Sequence, residues 1–190
     1  MTSLSVAEHA ALAALQADGE DPWAHHALGC LHLFARRPEE SLAEFELALR
    51  LNPNFSLTQC YYCIALAYAG RWQDAEEAVS RALRLSPRDP MSALYSGAAS
   101  FAQFVGRNYD KAIKLAREAI HLRSDFVGAH RVLVASAGMA GQRELAAAAL
   151  AELRCAQPDI SLAWITEHLP IRDHADRQHY IEAFRRAGLD

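Results

Sequence analysis

The chain repeats itself with a period that suits stacked helical hairpins. Leu51-Asn52-Pro53 returns 34 residues later as Leu85-Ser86-Pro87, then in degraded form as Leu122-Arg123-Ser124 and Ala156-Gln157-Pro158. Small residues upstream keep step: Ser41, Ala75, Ala112 and Ala146. In an Ala- and Leu-rich chain this spacing predicts pairs of helices, each pair burying its apolar face against the next.

Composition excludes several functions. Net charge is −4, from 19 basic and 23 acidic residues with the signs interspersed, so there is no basic stripe to neutralise phosphates and direct nucleic-acid binding is not expected. No apolar run approaches the roughly 20 residues that span a bilayer. Met1 to Leu15 lacks the basic start of a signal peptide, and Cys30, Cys60, Cys63 and Cys155 do not form a disulfide framework, so a cytoplasmic chain with reduced thiols is expected.

The repeat can be followed through four units. The first runs His25-x2-Leu28-Gly29-x2-His32, then Ser41-x3-Phe45, then Pro53. The second runs Gln59-x2-Tyr62-Cys63-x2-Leu66, then Ala75-x3-Val79, then Pro87. The third has Ala93-x2-Ser96-Gly97-x2-Ser100, then Ala112-x3-Ala116, then Ser124; the fourth has His130-x2-Leu133-Val134-x2-Ala137, then Ala146-x3-Leu150, then Pro158. Over about residues 22–160 this register resembles the tetratricopeptide repeat family. The expected fold is all-α: a right-handed superhelix of antiparallel helix-turn-helix hairpins with a capping helix at each end.

Each element of the pattern has a physical reason. Small residues at Gly29, Cys63 and Gly97 let the first helix of a hairpin approach the second, and Ala75, Ala112 and Ala146 do so from the other side. Gly70 and Gly141 suit a left-handed turn between the helices. Pro38 can open a helix, with Glu39 and Glu40 at its positive end. Pro53, Pro87 and Pro158 end the second helices. The third unit carries three extra residues, because Ser124 lies 37 after Pro87, and the expected place for them is Phe101 to Tyr109, as a longer first helix or a turn extended at Gly106-Arg107-Asn108.

The chain is thus expected to be one domain, residues 1–190, comprising a half-hairpin at 4–21, repeats at 22–55, 56–89, 90–126 and 127–160, and a partial repeat with a capping helix at 161–190. Ser161 to His168 reads as a first-type helix stopped by Pro170. Asp173 can cap a final helix over about His174 to Arg186, ended by Gly188, whose Tyr180, Ile181 and Phe184 lie on the last hairpin. The closing segment, with Trp23-Ala24-His25 and Leu83 to Pro90, is also similar to arrays that end bacterial adenylate cyclase-like and winged-helix regulatory proteins.

The family resemblance implies that the first helices line a concave face. Its exposed positions fall on Trp23, His26, Cys30 and Phe34; on Leu57, Cys60, Tyr61, Ile64 and Tyr68; on Met91, Leu94 and Tyr95; and on Arg131, with Ala27, Ala98, Gly128, Val132, Ala135 and Met139 between them. Such an apolar and aromatic groove suits a helix or extended peptide from a protein partner. The Lys and Asn clamp with which some family members hold a terminal carboxylate is missing. His26, Cys30 and Cys60 could converge on a soft metal, but Cys63 and its neighbours are explained by packing, and no metal or other cofactor is expected. No Ser-His-Asp order, phosphate loop or His-Glu-x-x-His occurs, so no enzyme is expected. The expected role is a non-catalytic interaction scaffold in bacterial signalling or regulation, binding neither nucleic acid nor membrane. The alternatives are a sensor of a small apolar ligand near Trp23, Tyr61 and Phe101, and a homo-oligomer completed through the half-hairpin at Val6 to Ala17.

Overall fold

The computed structural model describes residues 3–171 and 173–190, and every regular element among them is a helix. α1 (Ser3–Ala17) lies against the first of four hairpins: α2 (Pro22–Phe34) with α3 (Pro38–Leu51), α4 (Ser56–Tyr68) with α5 (Trp72–Leu85), α6 (Ser92–Val105) with α7 (Tyr109–Leu122), and α8 (Val127–Met139) with α9 (Arg143–Ala156). A tail of α10 (Leu162–His168) and α11 (His174–Arg186) follows. The expected all-α solenoid is therefore the fold. Among the described residues no helix is long and apolar enough to cross a membrane.

Local chemistry sets the helix ends. Asp21 accepts from the Trp23 amide ahead of Pro22, and Pro38 opens α3 with Glu39 and Glu40 in its first turn. Each hairpin turn has three residues, and the middle one is left-handed: Arg36 (φ 63°), Gly70 (φ 77°), Arg107 (φ 64°) and Gly141 (φ 71°). Glycine enters this region freely, whereas an L side chain costs about 1 kcal/mol there. Two arginines therefore hold a strained position that the sequence does not advertise.

Inside each hairpin the helices meet at small side chains. A Cβ on Gly29 would lie 2.5 Å from the Phe45 ring, which is fully buried between α2 and α3. Ser41 on α3 donates to the Gly29 carbonyl at 2.8 Å, so its buried hydroxyl is satisfied. Ala75, Ala112 and Ala146 are buried at the place of Ser41 in the later hairpins.

The three extra residues of the third unit are not in the hairpin turn. Gly106-Arg107-Asn108 has the same length as the other turns, and the link from α5 to α6 is the longer one, Ser86 to Met91. Helix α6 also has 14 residues where α4 and α8 have 13. Asp89 organises this link: it accepts from the Met91 amide at 2.8 Å and from the Tyr95 hydroxyl at 3.0 Å. The register of α6 is consequently displaced by three residues from the expected one. Ser100, fully buried, takes the small position where α6 approaches α7, and Gly97 instead faces the Phe126 ring. Phe104 and Val105, in the last turn of α6, are buried.

The tail has the expected helices, with Ser161 and Asp173 as side-chain caps, but it does not merely cover the last hairpin. It turns back along the hairpin turns. Gly138 of α8 meets the Ala183 carbonyl so closely that a Cβ would collide with α11. Tyr180 packs edge-on against Phe104 at 5.3 Å and Phe101 at 6.3 Å. Arg107 donates to Asp176 at 2.8 Å, and Arg36, four helices further back, donates to the carbonyls of Glu167 and Thr166 at the end of α10. Both left-handed arginines thus hold the tail.

Two outcomes follow. Gly138→Ala pushes α11 off α8, at a cost of about 1–3 kcal/mol in chemical unfolding, with faster amide exchange in α11. Arg36→Gly relaxes the backbone, leaving the melting temperature unchanged or higher, yet α10 amides exchange faster because their anchor is gone.

Candidate functional site

The inner wall formed by α4, α6 and α8 does not pack against another hairpin. Between this wall and the tail lies a cavity of about 540 Å³. Tyr61, Ile64 and Tyr68 of α4, Leu94, Ala98 and Phe101 of α6, and Gly128 and Val132 of α8 form its floor. Leu33, Phe34, Met91 and Phe126 stand at its sides, and Trp164, His168, Leu169, Pro170 and Tyr180 close it from the tail. Its volume falls within the range typical of ligand pockets, about 300–1,000 Å³.

Of the expected site residues, Phe34, Tyr61, Ile64, Tyr68, Met91, Leu94 and Arg131 come together here. Phe34 and Met91 are also exposed, at 66% and 39%. The others are elsewhere. Trp23, 59% exposed, packs edge-on to Phe55 at the N-terminal end, and Leu57 is half-buried outside the cavity. Cys60 and Tyr95 are fully buried and present nothing to a partner. For Tyr95 the cause is the displaced register of α6, which turns its hydroxyl to Asp89 and to Ser56 at 3.2 Å. For Cys60 it is the close packing of α4 against its neighbours.

His26 is buried among Trp23, Phe45, Phe55 and Tyr61, and it shares a 2.9 Å hydrogen bond with Thr58. Its second ring nitrogen lies 3.6 Å from the half-buried Cys30 thiol. Burial pushes the Cys30 thiol up to about 12 and the Cys60 thiol well above its ordinary value. Among the described residues no group of three or more His, Cys, Asp or Glu side chains is placed to hold a metal ion. His26 is turned to Thr58 and Cys30, while Cys60 packs in the main core.

The residues missed from sequence have two origins. Gly97 becomes legible once the added residues are placed ahead of the last turns of α6, since it then corresponds to Cys60 of α4, and Phe101, expected only for a small-ligand site, corresponds to Ile64. Phe126 occupies the place of Phe55 before a first helix, an aromatic repeat visible in the sequence. Trp164 through Pro170 had no such signal, because nothing local says that the tail folds back.

Electrostatics give the cavity a sign. Arg123, Arg131 and His168 line it, and among the described residues no Asp or Glu does. The Arg131 guanidinium lies over the Trp164 ring at 4.4 Å, with its Nε donating to Gln157 at 2.9 Å. The Arg123 guanidinium lies over Phe126 at 4.4 Å. Burial raises the Tyr68 phenol to about 12 against the opposing pull of Arg131, and raises Tyr61 against that of Arg123.

Neither a protein-family model nor a curated protein sequence matches the chain. Solved structures do match in fold, and they are tetratricopeptide-type solenoids. A thermophilic TPR protein of Thermus thermophilus aligns with a TM-score of 0.69 at 18% identity, over 96% of this chain and 91% of that one. PilW, a type IV pilus biogenesis factor, aligns at 0.72 and 14% identity, over 90% and 79%. YrrB, a TPR protein with an unusual peptide-binding site, aligns at 0.59 and 15%, over 94% and 90%. At such identities the likeness is one of fold.

Two histidines, the buried His26 of α2 and the half-buried His179 of α11, make the fold sensitive to acid. Burial lowers His26 to about 4; burial, then Arg107, lowers His179 to about 4 where it hydrogen-bonds Tyr109 at 3.3 Å. Both are neutral in the folded chain while the unfolded chain takes up protons near pH 6.5. Their contribution is present above pH 6.5 and is lost as pH falls toward about 4. Urea unfolding across that window should show stability falling, with a shallower fall in His179→Gln.

Proposed function

We propose that this chain is a non-catalytic interaction scaffold that docks a short segment of a protein partner in the cavity between its inner wall and its tail. The observation that carries this reading is the cavity itself: apolar and aromatic side chains from three separate hairpins face one space that the chain's own packing leaves open. An apolar pocket with few polar groups suits one or two large anchor side chains rather than a long helix along the whole groove. The tail makes the difference, since it occupies part of the face that a long helix would need. The fold likeness to a TPR protein described as having a peptide-binding site is in keeping with this role.

A place in bacterial signalling or regulation rests on the resemblance carried by the closing segment. The matched structures named above add nothing to the likeness with cyclase-like and winged-helix regulators. A sensor of a small apolar ligand is the competing reading, favoured by the partial closure of the cavity under Trp164 and Pro170.

The test is selection of binders from a displayed library of random decapeptides on the full chain. Phe34→Ala and Met91→Ala remove exposed lining residues at little cost to folding. Binding of the selected peptides should weaken on the order of tenfold in each, with the melting temperature unchanged. Unaltered affinity in both variants would remove the cavity from the account.

A further inference from the structure

The charged side chains around the cavity are two guanidinium groups, with phenol hydroxyls and one imidazole beside them. Arg123, Arg131 and His168 are there without a carboxylate among the described residues, although the whole chain carries a net charge of −4. The phenol hydroxyls of Tyr61, Tyr68 and Tyr180, which also line it, make no hydrogen bond among the described residues. Arg131 uses its Nε on Gln157 and has no carboxylate partner among the described residues. Arg123 has only Asp125 among them, at 3.7 Å, whose side chain is 87% exposed. Both guanidinium groups are laid on aromatic faces, Trp164 and Phe126. A stacked guanidinium is already oriented, so less freedom is lost when its planar fork takes a carboxylate.

We propose that the docked segment is acidic: an Asp or Glu side chain is held by Arg131 and Arg123, while a large apolar neighbour fills the space over Ile64, Ala98 and Val132. This inference rests on the docking reading above and adds the chemistry of the partner. A neutral segment would offer the two arginines only carbonyl or hydroxyl oxygens, which are weaker acceptors than a carboxylate, and an apolar group placed against them would strip their water with nothing in return. A basic segment would meet like charge. A carboxylate beside a Leu, Phe or Trp side chain satisfies both halves of the site.

The same decapeptide selection decides it, with the peptides displayed without a free C-terminus. The selected sequences should place Asp or Glu within two residues of a large apolar side chain. Changing that acid to Asn should weaken binding to the full chain about tenfold. In Arg131→Gln the acidic and amide peptides should bind alike. Arg123→Gln, on an exposed link, serves where loss of the Trp164 stack loosens the tail, and it should narrow the same difference. Selected peptides that bind through apolar residues with no preference for acid would overturn the inference and leave docking standing. No enrichment of any peptide would overturn both, and decanoate binding in that case would point to a small amphipathic acid as the occupant. Enrichment only when a free C-terminus is supplied would assign the arginines to a terminal carboxylate and overturn the side-chain assignment. A concentration-dependent dimer that Phe34→Ala abolishes would overturn the inference by seating a second copy there instead.

Discussion

Everything in this solenoid depends on how closely the two helices of a hairpin can approach. The contact of Gly29 with Phe45 shows the constraint at its tightest, because a single added carbon would overlap the ring. The Ser41 hydroxyl closes on the Gly29 carbonyl across the same seam, and alanine replaces it in each later hairpin. Side chains large enough to fill a core are thereby displaced to the flanks of the seam. Some fill the spaces between successive hairpins. The rest, on α4, α6 and α8, are left on a face with no hairpin opposite it.

The tail is the part of the chain that meets this face, and its apolar residues from Ile165 to Leu189 join the main core. Arg36 and Arg107 sit at left-handed turn positions where glycine would be relaxed, and both reach the tail. The cost of each backbone conformation is about 1 kcal/mol, comparable to what one exposed charged hydrogen bond returns. Helix α10 is held beyond the Arg36 contact by Ile165 and Leu169 in the core, while α11 is fastened by Tyr180, Phe184 and the close approach at Gly138.

The cavity is also shaped by a register change. The link built on Asp89 shifts α6 by three residues, turning Tyr95 inward and bringing Phe101 to the position that Ile64 holds in α4. A period counted from proline to proline detects that residues were added but not where, since only a hydrogen-bonded turn or helix start shows their place. The displaced register is therefore confined to the third unit. Sites read in α4, where the period is undisturbed, reached the cavity in Tyr61, Ile64 and Tyr68, while Cys60 packed inward.

Helix boundaries, hairpin pairing, the two capped helices of the tail and the apolar character of the inner wall were legible in the residues themselves. They follow from short-range rules: capping side chains, proline placement, small residues at a fixed spacing. The strain at Arg36 and Arg107, the return of the tail across the array and the gathering of Arg123, Arg131 and Trp164 around one space were decided by the tertiary structure. Those features join groups far apart in the chain, 131 residues for Arg36 and Glu167 and 69 for Arg107 and Asp176, and no local preference encodes which of several apolar faces a chain end will cover. That choice is made by the total surface buried once all the hairpins are in place.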